Sequence, residues 1–173
     1  MMNFSFLSRL SFIACVMVLL LQSSFVQEKK ISEEELPTAV RATFEKSYPH
    51  AKIQGVSQEV EKGKKVYEIE SMDGTVRRDL LFKADGSIVE IEEELAAGDL
   101  PAAVKATIQK KYPSEKVEKA EKITKGSIEE YELHLLAGKT RYEVVVAPDG
   151  VIRTREKEND EETETDDNGA EDD

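Results

Sequence analysis

An internal duplication constrains the fold of this chain more than any other feature of its sequence. Residues 36–91 align without gaps to residues 100–155 at a constant offset of 64, with 17 identities across the 56-residue window. Identities at one fixed spacing are typical of two copies of a single structural unit. We therefore expect each half of the central region to fold in the same way.

Each unit is predicted to begin with a helix. Apolar residues recur at helical spacing over residues 36–48 and again over 100–112, which gives each segment one apolar stripe. Pro37 and Pro101 suit the first turn of a helix, where the missing N–H is not needed. Prolines end both segments, because the residue before a proline avoids the helical conformation.

Strands are predicted to follow each helix. A weak first strand is followed by segments 66–72 and 75–82, which alternate in polarity around Asp73-Gly74, a strong two-residue hairpin signal. A turn centred on that pair would place Ile69 opposite Arg78 and direct mainly apolar residues toward the helix. The second unit repeats this pattern, so its hairpin is expected to have the matching register.

A second turn in each unit completes the predicted meander. Asp85-Gly86 and Asp149-Gly150 suit tight turns with glycine in the left-handed conformation, and each leads to a fourth strand. We predict an α+β fold of two tandem units, each with one helix packed on a four-stranded antiparallel β-meander. The units are assigned to residues 33–95 and 96–155.

The N-terminus has the pattern of an export signal. Arg9 is the only charged residue before Glu28, an apolar run occupies residues 10–21, and small residues follow it. The run is shorter than the ~20 residues that cross a bilayer. We assign residues 1–24 to a cleaved signal peptide and residues 25–32 to a linker, which predicts a periplasmic or secreted protein with no membrane span after cleavage. The alternative is a membrane anchor formed by an uncleaved N-terminus.

The C-terminal segment, residues 156–173, is strongly acidic. It contains eleven acidic residues and one basic residue, so most of the chain's net charge of −12 lies there. A segment with so little apolar surface cannot offset its ordering entropy, and we predict a disordered tail. Two roles stay open: a solubilising tail, or weak capture of Ca²⁺ or of a basic partner.

Residues that support catalysis or cofactor binding are sparse. The single Cys excludes an intramolecular disulfide, and the sequence contains no catalytic triad pattern, phosphate-binding glycine loop or zinc-protease motif. His50 and His134 have no other His or Cys nearby in sequence, and each is expected to be an ordinary surface residue. The acidic charge also argues against nucleic-acid binding. We predict no enzymatic activity, no catalytic residues, no cofactor and no metal ligands.

One surface is a candidate binding site. The hairpin pattern places Val66, Leu81 and Val89, with Ile91 beyond them, on the sheet face away from the helix of the first unit. The matching positions of the second unit are mostly charged. An exposed apolar cluster often marks an interaction site. These four residues are therefore the predicted partner-binding set, and the alternative is that the two units pack together or dimerise through them.

The duplicated motif also resembles a known family. The pattern Leu-Pro-x-Ala-Val…Tyr-Pro at 36–49 and 100–113 is followed by Tyr-Glu-Ile or Tyr-Glu-Leu and by Asp-Gly before the last strand. This order is similar to that of the PepSY-like, beta-lactamase-inhibitor-like exported proteins. The resemblance implies a helix-backed antiparallel sheet outside the cytoplasm and a role in protein binding or inhibition. The shared residues lie at core, turn and cap positions, so no inhibitory residue can be carried over.

These observations favour an exported, non-enzymatic protein-binding module. Such a module would inhibit or sense an envelope or extracellular protein whose identity the sequence does not specify. The alternative function is that of an acidic protein that binds divalent cations or acts as a scaffold through its C-terminal tail.

Overall fold

Two helices and nine strands form the fold, which we analysed in a computed structural model that describes residues 28–61 and 63–158. All nine strands belong to one antiparallel sheet, and their order in the sheet follows their order in the chain. The elements of the first half are β1 (Lys29–Lys30), α1 (Thr38–Ser47), β2 (Lys52–Glu61), β3 (Lys64–Asp73), β4 (Val76–Lys83) and β5 (Ile88–Glu94). Those of the second half are α2 (Ala102–Lys111), β6 (Lys116–Lys125), β7 (Ile128–Ala137), β8 (Thr140–Val146) and β9 (Ile152–Lys157). A short 3₁₀ turn precedes each α-helix.

The α+β class is confirmed, but the strands form one nine-stranded sheet instead of a separate four-stranded meander in each unit. Strands β5 and β6 pair with each other, with Glu92 opposite Ile123 and Glu94 opposite Glu121. This pairing satisfies N–H and C=O groups that would otherwise line two open sheet edges. The units are therefore joined edge to edge, and their sheets do not stack face to face.

The hairpin turns differ from the predicted ones by one residue along the chain. Asp73 pairs with Val76, so Gly74 and the next residue form the turn and Ile69 lies opposite Leu80 rather than Arg78. Gly74 takes a φ of 62°, which glycine adopts without strain. Moving the turn by one residue shifts every cross-strand partner by two residues, and a shift of two leaves each side chain on the same face of the sheet. The residues of the hairpin that were predicted to face the helix do so, although their predicted cross-strand partners are wrong.

The hydrophobic core lies on one face of the sheet, beneath the helices. In the first unit Val40 and Phe44 of α1 pack on Ile69 and Leu80, and in the second unit the matching helix α2 packs on Leu133 and its neighbours. Gly86 brings the β4–β5 turn against α1: a Cβ atom there would lie 2.5 Å from the carbonyl oxygen of Ala39. Helix and sheet are therefore in close backbone contact at this turn.

The structure also moves two of the predicted boundaries. The segment assigned to a linker contains strand β1, which pairs with β2, so part of it belongs to the sheet. Strand β9 continues to Lys157, so Glu156 and Lys157 belong to the sheet and not to the acidic tail. The predicted signal peptide and the acidic residues after Glu158 lie outside the described residues. Within the described part of the chain, no helix is long and apolar enough to cross a membrane.

Candidate functional site

The sheet face opposite the helices, here called the outer face, is the candidate functional surface. Its side chains belong to neither hydrophobic core cluster. Despite that, several of them are buried, including Ser57, Val66, Leu81, Glu90, Glu121, Ile123, Glu132, Glu143 and Val145. The outer face therefore carries buried carboxylates next to a few apolar side chains.

The structure separates the four residues predicted to form an apolar patch. Val66 and Leu81 do lie on the outer face, but they are only 4% and 3% exposed, so the predicted exposed patch is not observed. Leu81 lies across from Glu68 on β3 and from Glu90 on β5, rather than from Val66 and Val89. Its cross-strand neighbours are thus carboxylates.

A bulge in the β4–β5 pairing explains the other two positions. Phe82 pairs with Ile88 and Leu81 with Glu90, so Val89 is the extra residue of the bulge. Beyond the bulge Ile91 packs against the core beneath α1, and its placement on the outer face was wrong. One inserted residue is enough to reverse the strand's alternation, and the sequence alone did not reveal it.

Carboxylates concentrate where the two units meet. Glu92 lies opposite Asp79 on β4 and Ile123 on β6, at the junction of the units. Burial, followed by the charges of Glu121 and Glu132, raises the pKa of Glu92 to about 9. Burial likewise raises the pKa of Asp79, and the Arg77 guanidinium, 3.3 Å away, partly opposes this rise. Glu92 belongs to the first unit, whereas Glu121 and Glu132 belong to the second, so only the folded sheet brings these three carboxylates together.

A second carboxylate group lies on the first unit. Ser57 Oγ donates a hydrogen bond of 3.1 Å to Oε2 of Glu68. Burial and the nearby charge of Asp79 nevertheless raise the pKa of Glu68 to about 7. Arg77 also lies 3.7 Å from Glu70, so this region alternates basic and acidic groups. Carboxylates with such raised pKa values are more common at functional sites than elsewhere.

The corresponding place in the second unit contains a histidine. Nδ1 of His134 lies 2.6 Å from Oε1 of Glu158, and Nε2 lies 3.2 Å from Oε1 of Glu132. Burial alone would lower the pKa of His134, but these two carboxylates raise it to about 9. Its side chain is 13% exposed, so the expectation of an ordinary surface histidine was wrong.

A further ion pair borders this group. Lys119 Nζ lies 2.7 Å from Oε1 of Glu121, and Glu121 is directly across the sheet from Glu132. Burial raises the pKa of Glu121, and the Lys119 ammonium opposes that rise. The spacing Glu132-x-His134 on a strand already places both side chains on one face, a signal that sequence reasoning could have used.

Comparison with known proteins identifies a family whose model matches most of the chain. A family model described as "Putative beta-lactamase-inhibitor-like, PepSY-like" matches residues 24–90 and 65–154. No curated protein sequence matches the chain.

Several solved structures share the fold. A "BLIP-like protein" from Bacteroides fragilis is 19% identical, with 69% of this chain and 84% of that chain aligned at a TM-score of 0.57. A DUF2874 family protein from Bacteroides uniformis is 17% identical, with 70% and 88% aligned at a TM-score of 0.60. A protein from Bacteroides eggerthii described as "putative periplasmic" is 16% identical, with 70% and 88% aligned at 0.61. The two family matches together span both repeats, and the chain belongs to the PepSY-like, beta-lactamase-inhibitor-like family.

Proposed function

We propose that the chain is an exported, non-enzymatic binding module that captures a partner protein through the outer face of its sheet. The partner would be an envelope or extracellular protein that presents lysine or arginine side chains, and binding would inhibit or sense it. One observation carries this proposal: the helices cover one face of the sheet, while the opposite face holds desolvated carboxylates.

The electrostatics of the outer face favour a basic partner. The pKa values of Glu68 and Glu92, about 7 and 9, mean that the fold resists ionisation of both groups. A cation placed nearby would favour the charged forms and recover part of that free energy on binding. Arrangements that lower the stability of the free protein are common where a surface is selected for binding rather than for folding.

Groups at the margin of the outer face are accessible for a first encounter. Glu130 of β7 lies 3.7 Å from Arg153, and both side chains are part-exposed. Exposed charges at an interface rim mainly steer association and set its salt dependence. Val66 and Leu81 would then lie behind this charged rim as apolar support.

The family supports this interpretation in general terms. Its description is inhibitor-like, and one protein of the same fold is described as periplasmic. An extracytoplasmic location also agrees with the export pattern predicted for residues 1–24.

Capture from the native envelope fraction tests the proposal. Glu130→Arg on the outer face should reduce recovery of the partner at least ~10-fold, because a cation replaces an acceptor for basic groups. The matched control is Glu45→Arg, an exposed position on α1, which should capture as the parent chain does. The predicted acidic tail is present in both variants, so capture by the tail alone would leave them equal. Equal loss in both variants, or none in either, would refute the outer face as the binding surface.

A further inference from the structure

The second unit contains three potential metal ligands on adjacent strands. Carboxylate oxygens of Glu121 and Glu132 and a ring nitrogen of His134 all lie within 4.8 Å of one another. Glu121 and Glu132 are directly opposed across β6 and β7, and His134 follows two residues later on the same face of β7. Ligands on paired strands are held more precisely than ligands on loops.

The imidazole is already oriented as a ligand. Its Nδ1 is bonded to the Glu158 carboxylate, whereas Nε2 is buried and makes no hydrogen bond although Glu132 is close. A histidine that binds a metal through one nitrogen usually gives its other N–H to a carboxylate, which fixes the tautomer and the ring orientation. Glu158 thus occupies the position of a supporting carboxylate, and Nε2 faces Glu132 at 3.2 Å, so a metal bound there would displace the Nε2 proton that the neighbouring carboxylates favour.

We propose that Glu121, Glu132 and His134 form a binding site for a divalent transition-metal ion such as Zn²⁺, with Glu158 orienting the histidine. A tetrahedral zinc ion bonded at ~2.0–2.1 Å holds its ligand atoms about 3.3 Å apart, so small side-chain rotations would close the set. Three protein ligands leave the fourth position for water or for a side chain of a partner.

The ligand types select the class of metal. An imidazole nitrogen with carboxylates suits zinc and its neighbours, whereas Ca²⁺ takes six to eight oxygen ligands and Mg²⁺ retains most of its waters. Lys119 beside Glu121 is the competing cation, and it would turn away or keep only the second carboxylate oxygen when the metal binds. This site is independent of the proposed capture of a protein, because it requires no partner.

The first unit supplies an internal comparison. Its equivalent positions are Ser57, Glu68 and Glu70, and there the serine hydroxyl already donates to Glu68. That set lacks an imidazole, so zinc should bind in the second unit and not at the matching place in the first.

Nitrogen NMR of the unmodified full chain tests the site without any substitution. One equivalent of ZnCl₂ should shift the ring ¹⁵N signals of His134 and leave those of exposed His50 unchanged. The same concentration of CaCl₂ should move neither. Unchanged His134 signals at one equivalent of zinc, or equal shifts with calcium, would overturn the proposal.

Calorimetric zinc titration of variants identifies the ligands. We expect His134→Gln to lower the association constant by at least ~100-fold, and Glu158→Gln by about 10- to 100-fold as an orienting residue. His50→Gln is the matched control and should bind within about twofold of the parent. Full affinity in the His134→Gln chain would refute the site, and if that variant fails to fold, the NMR titration of the parent chain decides.

Discussion

Glu92→Gln is predicted to stabilise the fold at neutral pH. The folded state raises the pKa of Glu92 from 4.5 to about 9, through burial first and then the charges of Glu121, Glu132 and other carboxylates. Between those two pH values the folded chain keeps the proton that the unfolded chain has released. The contribution of Glu92 to stability is therefore fully present below pH 4.5 and is lost as the pH rises toward 9.

The magnitude follows from the pKa difference. Each pH unit above 4.5 lowers the free energy of unfolding by about 1.4 kcal/mol, so at pH 7 the loss is on the order of 2 to 3 kcal/mol once partial exposure of the side chain is considered. Glutamine has nearly the same shape and does not titrate. Chemical denaturation at pH 4 and pH 7 should show no gain for Glu92→Gln at the lower pH and a gain of about 2 to 3 kcal/mol at the higher.

The matched control is Glu94→Gln, two residues along the same strand at an exposed position. Its effect should stay within about 0.5 kcal/mol at both pH values, as for most surface substitutions. A Glu92→Gln chain that is no more stable than the parent at pH 7, or that keeps the parent's pH dependence, would refute the desolvated carboxylate at the junction of the units.

Three further pairs of variants test other parts of the structure. Leu81→Glu should lower the free energy of unfolding by at least ~3 kcal/mol, because it adds a buried charge beside Glu68. Leu81→Lys should lower it by at least ~1 kcal/mol less than Leu81→Glu does, because the lysine can pair with the Glu68 carboxylate. Gly86→Ala should lower the free energy of unfolding by more than ~2 kcal/mol, and Gly74→Ala should lower it by about 1 kcal/mol. Both glycines have a positive φ, but of the two only Gly86 lies against the helix backbone. Equal losses of stability in thermal melts would contradict the close approach of Gly86 to the helix. Deleting residues 159–173 should change the melting temperature by less than ~5 °C. A deletion that begins one residue earlier and also removes Glu158 should give a lower melting temperature than the first deletion, because Glu158 bonds to His134.

Local features of the sequence predicted most of the secondary structure. The helices and strands are encoded in patterns that repeat at one offset, and the left-handed glycine at Gly86 was also indicated correctly. The hairpin at Gly74 was displaced by one residue, yet the inward and outward sets survived because the pairing shifted by an even number.

Features that depend on distant contacts were not predictable in the same way. The bulge at Val89 reversed the alternation that would have placed Ile91 on the outer face, and a bulge of this kind depends on how the neighbouring strand pairs. The joining of β5 to β6 is likewise a tertiary contact, and it brings Glu121 of the second unit near Glu92, which the β4–β5 pairing already places opposite Asp79.

The burial of His134 and its carboxylate partners were not predicted, for a related reason. The sequence contains 36 acidic residues, so no particular carboxylate pair stood out as a partner for His134. The register of β6 against β7 selects Glu121 and Glu132, and Glu158 is the residue that follows β9. Strand alternation could have identified Glu132 alone.

Site-specific photo-crosslinking in the native envelope tests most directly the claim that the outer face binds a protein. A photoreactive residue would replace Lys83 or Glu156 on the outer face, and Lys46 of α1 or Lys110 of α2 on the helix surface; all four positions are exposed. The account predicts a crosslinked partner from both outer-face positions and none from the helices. Crosslinks to the same partner from the helix positions, with none from the outer face, would contradict it.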